Sequence, residues 1–386
     1  MAILLLIVFI DLVGFGVVIP LLPFYALRFD ASPFAVTSMM ACYSLAQFLS
    51  APVLGRLSDR IGRRPVLLMS LACSALAYLW LGLADALWML FAARLMAGAG
   101  AGNIAAAQAY IADVTTPEKR AKGMGMIGAA FGLGFTVGPA IGGLVAGSDP
   151  ATVSRPAFLA AALSTIALLI ALARLKESLP AEARTATDRP GRFALAKGAL
   201  KKPVLGLLIL LFFVSVSAFA GMETTFALWA NSVFGWGPLQ VGWLFFYIGI
   251  VLVALQGGLI GQLSRRFGET RLVVAGSAAI AVGLLGLTLA DSLAGVLVVT
   301  ALLAIGMGLL SPSLTSLVSR VAGADERGGV MGVSQSASSL ARILGPAAAG
   351  AVFTLWGPNA PYYLGALIMA LAVMMALRLP RAGAPA

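Results

Sequence analysis

Nearly every positive charge in the chain falls in one of six short polar gaps that separate long apolar runs. The gaps alternate along the sequence, basic and then almost uncharged. The basic gaps hold Arg56, Arg60, Arg63 and Arg64; Lys119, Arg120 and Lys122; the stretch from Arg174 to Lys202; Arg265, Arg266 and Arg271; Arg320 and Arg327; and Arg378 and Arg381. The intervening gaps offer only Arg28 and Arg155. Loops that remain in the cytoplasm keep Lys and Arg, because carrying those charges across a bilayer is unfavourable. About 22 of the 26 basic residues fall on one side and about 2 on the other. The pattern predicts a polytopic α-helical protein of the cell inner membrane, with both termini in the cytoplasm.

The apolar content agrees. Hydrophobic residues make up 60% of the 386 and charged ones 11%, and the mean hydropathy is +0.99. A soluble chain of this length could not hide so much apolar surface, whereas lipid solvates it. The net charge of +11 would suit nucleic acid, but the basic residues flank apolar runs without aromatic interleaving, so no nucleic-acid partner is expected. The first apolar run starts almost at Met1, with no basic leader and no small-residue cleavage site, and is expected to be a retained span. Cys42 and Cys73 lie inside apolar runs, so neither a disulfide nor a metal site is expected. The chain has no histidine, which leaves carboxylates as the main groups for handling protons inside a membrane. That lack also makes a nucleophile–base or metal cluster hard to assemble, and no Walker A pattern occurs. Neither an enzyme nor an ATP-driven pump is expected.

A span needs about 20 apolar residues. The runs divide as 2–27, 34–54, 66–84, 86–111, 122–147 and 156–174, then 203–230, 239–260, 272–290, 293–319, 329–354 and 362–378. That is about twelve spans, bounded by charge or by Pro33, Pro117, Pro156 and Pro238. The one long polar segment, 175–202, contains KESLPAEARTATDRPGR and suits a flexible cytoplasmic linker. It separates an expected N-terminal bundle, 1–174, from a C-terminal one, 203–386. The halves echo each other: GRLSDRIGRRPVLL at 55–68 aligns with GQLSRRFGETRLVV at 261–274. PEKRAKGMG at 117–125 parallels ADERGGVMG at 324–332, and Gly138-Pro139 falls on Gly345-Pro346. All three offsets are 206 or 207 residues. Parallel six-span repeats imply two bundles related by an axis along the membrane normal, with a site near the midplane.

These motifs resemble those of a known family. Gly55-Arg-Leu-Ser-Asp-Arg-Ile-Gly-Arg-Arg-Pro65 is similar to the loop 2–3 signature of the major facilitator superfamily, and the resemblance spans the whole chain. FGLGFTVGPAIGG at 131–143 resembles the fifth-span signature of its proton-driven drug antiporters. GNIAAAQAYIADVTTPEKRAKGMG at 102–125 is similar to tetracycline/proton antiporters, a likeness concentrated in 11–145. The implied architecture is the all-α major facilitator fold, twelve transmembrane helices in two six-helix bundles. In the loop 2–3 motif, Gly55 and Gly62 are expected to allow a tight turn. Asp59 is expected to meet a helix N-terminus or pair with nearby arginines, while Arg60, Arg63 and Arg64 anchor the cytoplasmic face. The resemblance implies that this cluster gates the conformational switch; topogenic charge alone is the alternative. Arg265 stands where the second half would repeat Asp59, which predicts asymmetric gating.

Asp11 sits in FIDLVGFGVVIPLLPFY, about ~12 Å into the first span at 1.5 Å per residue. A carboxylate there costs on the order of 2.5–3.5 kcal/mol, so it is expected to face the bundle interior. The resemblance gives the equivalent acid a role in transport, while an interhelical hydrogen bond is the alternative. Arg94, in FAARLMAGAG, needs a partner when buried, with Asp11 one candidate. The family links an arginine at this point to proton transfer, and a structural ion pair is the competing reading. Glu223 is the acid within the seventh span and joins Asp11 and Arg94 as a proton-coupling candidate; an interfacial position is its alternative. Asp113 and Arg120 flank the inner end of span four and suggest a salt bridge. Gly132, Gly134, Gly138, Pro139, Gly142 and Gly143 give span five a face nearly free of side chains, which lets helix backbones approach closely. By resemblance this face packs between the halves. Gln47, Asn103, Gln108, Phe131, Gln256, Gln335 and Arg342 are candidate cavity residues, as are Asn231, Phe24, Tyr25, Phe135, Trp229 and Phe246, with packing the alternative for each polar and aromatic one. No sequence pattern explains Arg342.

The second half departs from tetracycline exporters, which carry an acid in span nine and a histidine in span eight. Here LVVAGSAAIAVGLLGLTLA at 272–290 has no acid, and histidine is absent. The expected function is a monomeric secondary transporter exporting amphiphilic drugs or metabolites against protons. No cofactor is implied beyond the proton gradient, though tetracycline would travel as its magnesium chelate. An importer or uniporter of a sugar or organic acid is the alternative. The topology has a direct test: in a Cys-free background, an impermeant thiol reagent applied to intact cells should label a cysteine at Ser148 and spare one at Ser178. The reverse pattern would invert the assignment.

Overall fold

The computed structural model describes residues 1–101, 103–147, 152, 154–180, 202–323 and 326–379, apart from the side chains of 103–104, 117–121 and 327. Asn103, Arg120, Arg327, Ser148 and most of the linker therefore lie outside the described groups. Among the described residues the chain is all helix and turn, without a strand. Eleven helices are long and apolar enough to cross a membrane: Ala2–Leu27, Pro33–Ile61, Arg63–Gly82, Leu87–Val114, Lys122–Ala146, Arg155–Arg174, Pro203–Phe234, Pro238–Phe267, Glu269–Leu287, Leu293–Val321 and Gly328–Trp356. A shorter apolar helix, Ala360–Ala376, follows as the twelfth. Helices dominate because hydrocarbon offers the backbone no hydrogen-bonding partner, and a helix satisfies its own.

Local chemistry marks the ends. Proline occupies the first turn at Pro33, Pro117 and Pro156, where the missing N–H is no loss. The Ser32 and Ser292 hydroxyls accept from the Ala35 and Gly295 amides and cap the second and tenth spans. The loop 2–3 motif is more helical than its glycines predicted. The second span continues through Gly55 to Ile61, so Gly55 makes no turn, and its open setting asks nothing special of it. Gly62 alone reverses the chain, with φ 106°, a value that disfavours any residue with a Cβ. Its repeat partner Gly268 does the same at φ 79°.

Two compact units result: Met1–Asp188 with Ala230–Gly249, and Arg189–Trp229 with Ile250–Ala386. In the first, Leu4, Ile7, Val8 and Leu12 form one stripe of the first span at helical spacing. They are buried against Val66, Leu67 and Leu71 of the third span, Tyr110 and Ile111 of the fourth, Ile127 of the fifth and Ala167 of the sixth. The fifth span approaches the first without intervening side chains. A Cβ on Gly134 would lie 2.9 Å from the Leu12 Cβ, and one on Gly138 would lie 2.7 Å from the Gly16 backbone. A Cβ on Gly142 would strike the Val17 carbonyl. The glycine stripe thus faces the first span. Gly143 turns the other way, 3.2 Å by the same measure from the Gly242 Cα, which places the start of the eighth span in this unit.

The second unit repeats these contacts. Gly345, the counterpart of Gly138, meets the seventh span, where its Cβ would clash with the Ser217 carbonyl. The ninth span packs on the tenth and twelfth as the third packs on the fourth and sixth. Phe24, Tyr25 and Trp229 are buried in packing contacts. Tyr25 is buried and its hydroxyl donates to the Gly82 and Ala84 carbonyls, each at 3.3 Å. Trp229 donates Nε1–H to Asn359 Oδ1 at 2.8 Å and stands edge-on to Tyr362. Gly138→Val should push the first and fifth spans apart, lowering stability by about 1–3 kcal/mol. Thermal unfolding of the purified protein should show the loss, whereas Gly128→Ala, whose new Cβ meets nothing within 4 Å, should leave the midpoint unchanged.

Candidate functional site

Two constellations of charge stand in the first unit. The first lies within its helices. Asp11, 6% exposed, accepts a hydrogen bond from the Ser164 hydroxyl at 3.2 Å, tying the first span to the sixth. Arg94 is 2% exposed. Its guanidinium carbon lies 4.3 Å from the centre of the Tyr43 ring and 6.0 Å from that of Phe15. Tyr78, also buried, is close enough to feel both Asp11 and Arg94 electrostatically. Aromatic contacts continue outward, with Phe15 5.5 Å from Phe135 and Phe135 stacked on Phe131 at 4.7 Å.

The energetics of Arg94 stay unfavourable. Ring faces return about 2 kcal/mol or more to a desolvated guanidinium. Yet its Nε and Nη1 are buried without a hydrogen-bond partner, and each such group costs roughly 1–3 kcal/mol. The sequence offered Asp11 as one candidate partner; the described contacts of this guanidinium include the Tyr43 and Phe15 rings. Phe15, Tyr43, Tyr78 and Ser164 escaped the sequence reading. Phe15 is detectable in hindsight, one helical turn after Asp11 and thus on its face.

The second constellation sits at the inner end predicted from the basic gaps. Arg63 is its centre. Nη1 pairs with Asp59 Oδ1 at 2.5 Å and donates to the Ser58 hydroxyl at 2.6 Å, while Nε pairs with Asp113 Oδ2 at 3.1 Å. Asp113 was expected to answer Arg120, whose side chain lies outside the described residues; among those described it pairs with Arg63, one loop earlier in the chain. Arg64 donates to the Leu172 carbonyl at 2.9 Å, and Arg60 is exposed. The sequence reading also missed Glu177, placed in the flexible linker. Its carboxylate accepts from the Arg63 and Arg64 amides at 2.8 and 3.2 Å, capping the third span from the end of the sixth. Ser178 donates to Asp113 Oδ2 at 3.0 Å. A Cβ at Gly62 would run into the Glu177 carboxylate. Burial works to raise the Glu177 carboxyl, but the amides of Leu179, Arg63, Arg64 and Ser178 outweigh it and hold it below the ordinary glutamate range.

The remaining candidates scatter. Thr136, one turn beyond Gly132, bonds back to its carbonyl at 2.7 Å, and Pro139 lies inside the fifth helix. Asn231 bonds the Trp236 carbonyl at 3.1 Å, a loop contact. Gln47 is half-buried, and Gln108, Phe131, Gln256 and Gln335 are exposed. Gln256 lies in a π-helical turn, Leu255–Leu259, a feature frequent at functional sites. In the second unit Glu223 lies within electrostatic range of Arg342.

Comparison with known proteins follows the same lines. A family model described as Major Facilitator Superfamily matches residues 4–345 and 257–386. Tetracycline resistance protein, class C, of Escherichia coli is 34% identical over 352 residues, covering 89% of this chain and 87% of that protein. Multidrug resistance protein 2 of Bacillus subtilis (strain 168) is 31% identical over 352 residues, covering 90% and 87%. Among solved structures, the human organic anion transporter MFSD10 (TETRAN) aligns with a TM-score of 0.73 at 26% identity, covering 97% of this chain and 98% of the other. The nucleoside transporter NupG, at 14% identity and TM-score 0.77 over 98% and 97%, shares the fold.

The Glu177 cap yields a prediction with a definite sign. A carboxyl held below its ordinary value contributes stability above the ordinary glutamate range and loses it as pH falls through the depressed value. Glu177→Gln should therefore destabilise the purified protein by on the order of 1–3 kcal/mol near neutral pH. The gap between variant and parent melting temperatures should close in strongly acidic buffer.

Proposed function

The chain belongs to the major facilitator superfamily, a family of membrane transporters, and from that premise we propose a proton-coupled antiporter exporting amphiphilic drugs or metabolites. The observation that carries the reading is the buried Asp11 and Arg94 set among Phe15, Tyr43 and Tyr78. A carboxylate held off from lipid and from solvent changes protonation only when a pathway opens to it, which suits a coupling group. Protonated, Asp11 becomes a donor and its acceptance from Ser164 must rearrange. The unpartnered N–H groups of Arg94 are free to take an acceptor from the cargo. Each proton moved inward contributes about 2.3 kcal/mol per 100 mV of membrane potential.

Amphiphiles are the favoured cargo because aromatic faces outnumber aligned polar groups around Arg94. A sugar would need many hydrogen-bonding side chains, since each unsatisfied hydroxyl loses roughly 1–3 kcal/mol. Relatives named for tetracycline and multidrug resistance point the same way. Tetracycline as its magnesium chelate is the lead compound, although the second half lacks the span-nine acid and the histidine. Glu223 with Arg342 is the second candidate for proton handling. The reading includes alternating access of two six-span bundles joined by 175–202, a monomer of the inner membrane, and cytoplasmic termini. Asp59, Arg63 and Asp113 act as its gate. An importer or uniporter of an organic acid is the second reading, which the likeness to a human organic anion transporter favours.

Expression in an exporter-deficient host should raise resistance to tetracycline or a cationic dye, and everted vesicles should show compound-dependent proton movement. Asp11→Asn should reduce gradient-driven efflux at least tenfold while membrane levels hold. Unimpaired active efflux in that variant would remove Asp11 from coupling; uptake of an organic acid without any resistance would favour the second reading.

A further inference from the structure

The first unit's gate reads acid, base, acid: Asp59 at the end of the second span, Arg63 at the start of the third, Asp113 near the end of the fourth. The repeat places Arg265, Glu269 and Arg320 at the corresponding points, at offsets of 206, 206 and 207 residues. Every sign is reversed. A loop comparison that looks for the motif's acid at 265 finds an arginine and concludes that the second half has lost its gate. Of the two pairs, the one between the third and fourth spans is preserved in the ninth and tenth with its charges exchanged.

Glu269 opens the ninth helix immediately after Gly268 and is 5% exposed. Its Oε1 accepts from the Ser316 hydroxyl at 2.7 Å and pairs with Arg320 Nη2 at 2.9 Å. Arg63 likewise combines a serine hydroxyl, at Ser58, with a carboxylate from the end of the fourth span, at Asp113. An acid in the first turn of a helix is also favoured by the helix dipole. The second clip is less fully satisfied. Glu269 Oε2 is buried without a hydrogen-bond partner, and the Arg320 side chain is 66% exposed. Removing the arginine would strand a buried carboxylate, whereas removing the acid would release an arginine that water already solvates.

We propose that Glu269 is a positioning residue of a second, charge-inverted clip, in which its pair with Arg320 holds the start of the ninth span to the end of the tenth. Both partners lie inside the second unit, so the clip keeps that end of the unit together during transport. The inference does not depend on which compound is carried.

The test exploits the inversion. Arg320→Gln should lower the maximal rate of tetracycline efflux in everted vesicles at least tenfold with KM changed less than twofold, and Glu269→Gln should do less. In hydrogen exchange of the purified protein, peptides covering 268–272 and 316–321 should exchange about tenfold faster in Arg320→Gln, while those around Arg63 stay unchanged. Glu269→Arg alone should fail in both assays; combined with Arg320→Asp it should recover at least a third of the parent's rate and its exchange protection. If Glu269→Arg does not accumulate in the membrane, restored accumulation in the double variant supports the clip equally. Exchange that is unchanged in Arg320→Gln, or a double variant no better than Glu269→Arg, overturns the proposal whether or not tetracycline proves to be a substrate.

Discussion

A guanidinium or carboxylate in hydrocarbon is unfavourable by several kcal/mol unless it is paired, wetted or carried to the membrane edge. Most of the basic residues meet that constraint by standing in the gaps between spans, and their alternation organises the whole chain. Two arginines do not. Arg94 is enclosed by rings, and Arg342, itself exposed, lies within electrostatic range of Glu223.

The helices around those charges are held by close approach rather than by the hydrophobic effect, which does little between surfaces already solvated by lipid. Gly134, Gly138 and Gly142 form one ridge at four-residue spacing against the first span, and this contact carries Asp11 and Phe15 into place. The same register recurs at Gly345 against the seventh span. Backbone contact of this kind permits little adjustment, so the first, fifth and sixth spans act as a frame. Against it, the clips at the inner end fasten helix termini: Arg63 across three helices, Glu177 from the sixth span onto the third, and Glu269 onto the tenth. The frame sets where charges sit, while the clips decide which helix ends move together.

Much of this was legible in the residues. The spans followed from apolar length, the repeat from its offsets, and Gly62 as a turn from its place between two helical runs. Membership of the superfamily followed from the 55–65 and 131–143 motifs and is confirmed by the family match across the chain. Other features were not. Gly55 looked like a turn but lies in helix, because the second span's hydrogen bonds continue regardless of the end of its apolar stretch. Glu177 looked like linker, since nothing local reveals that an acid after the sixth span will meet amide donors more than a hundred residues earlier. Trp229 meets Asn359 and Tyr362, more than a hundred residues later, and no local signal names them.

The sequence by itself determined the solvent and about how many helices cross it. These depend on composition along one dimension and on the energy of placing each residue in lipid or water. Tertiary structure alone decided the partners: Arg63 with Asp113, Arg94 with rings, and Glu269 with Arg320. A helix presents a given side chain to only one neighbour, and which neighbour that is depends on how glycine ridges let backbones approach. Distance along the chain carries no record of that choice.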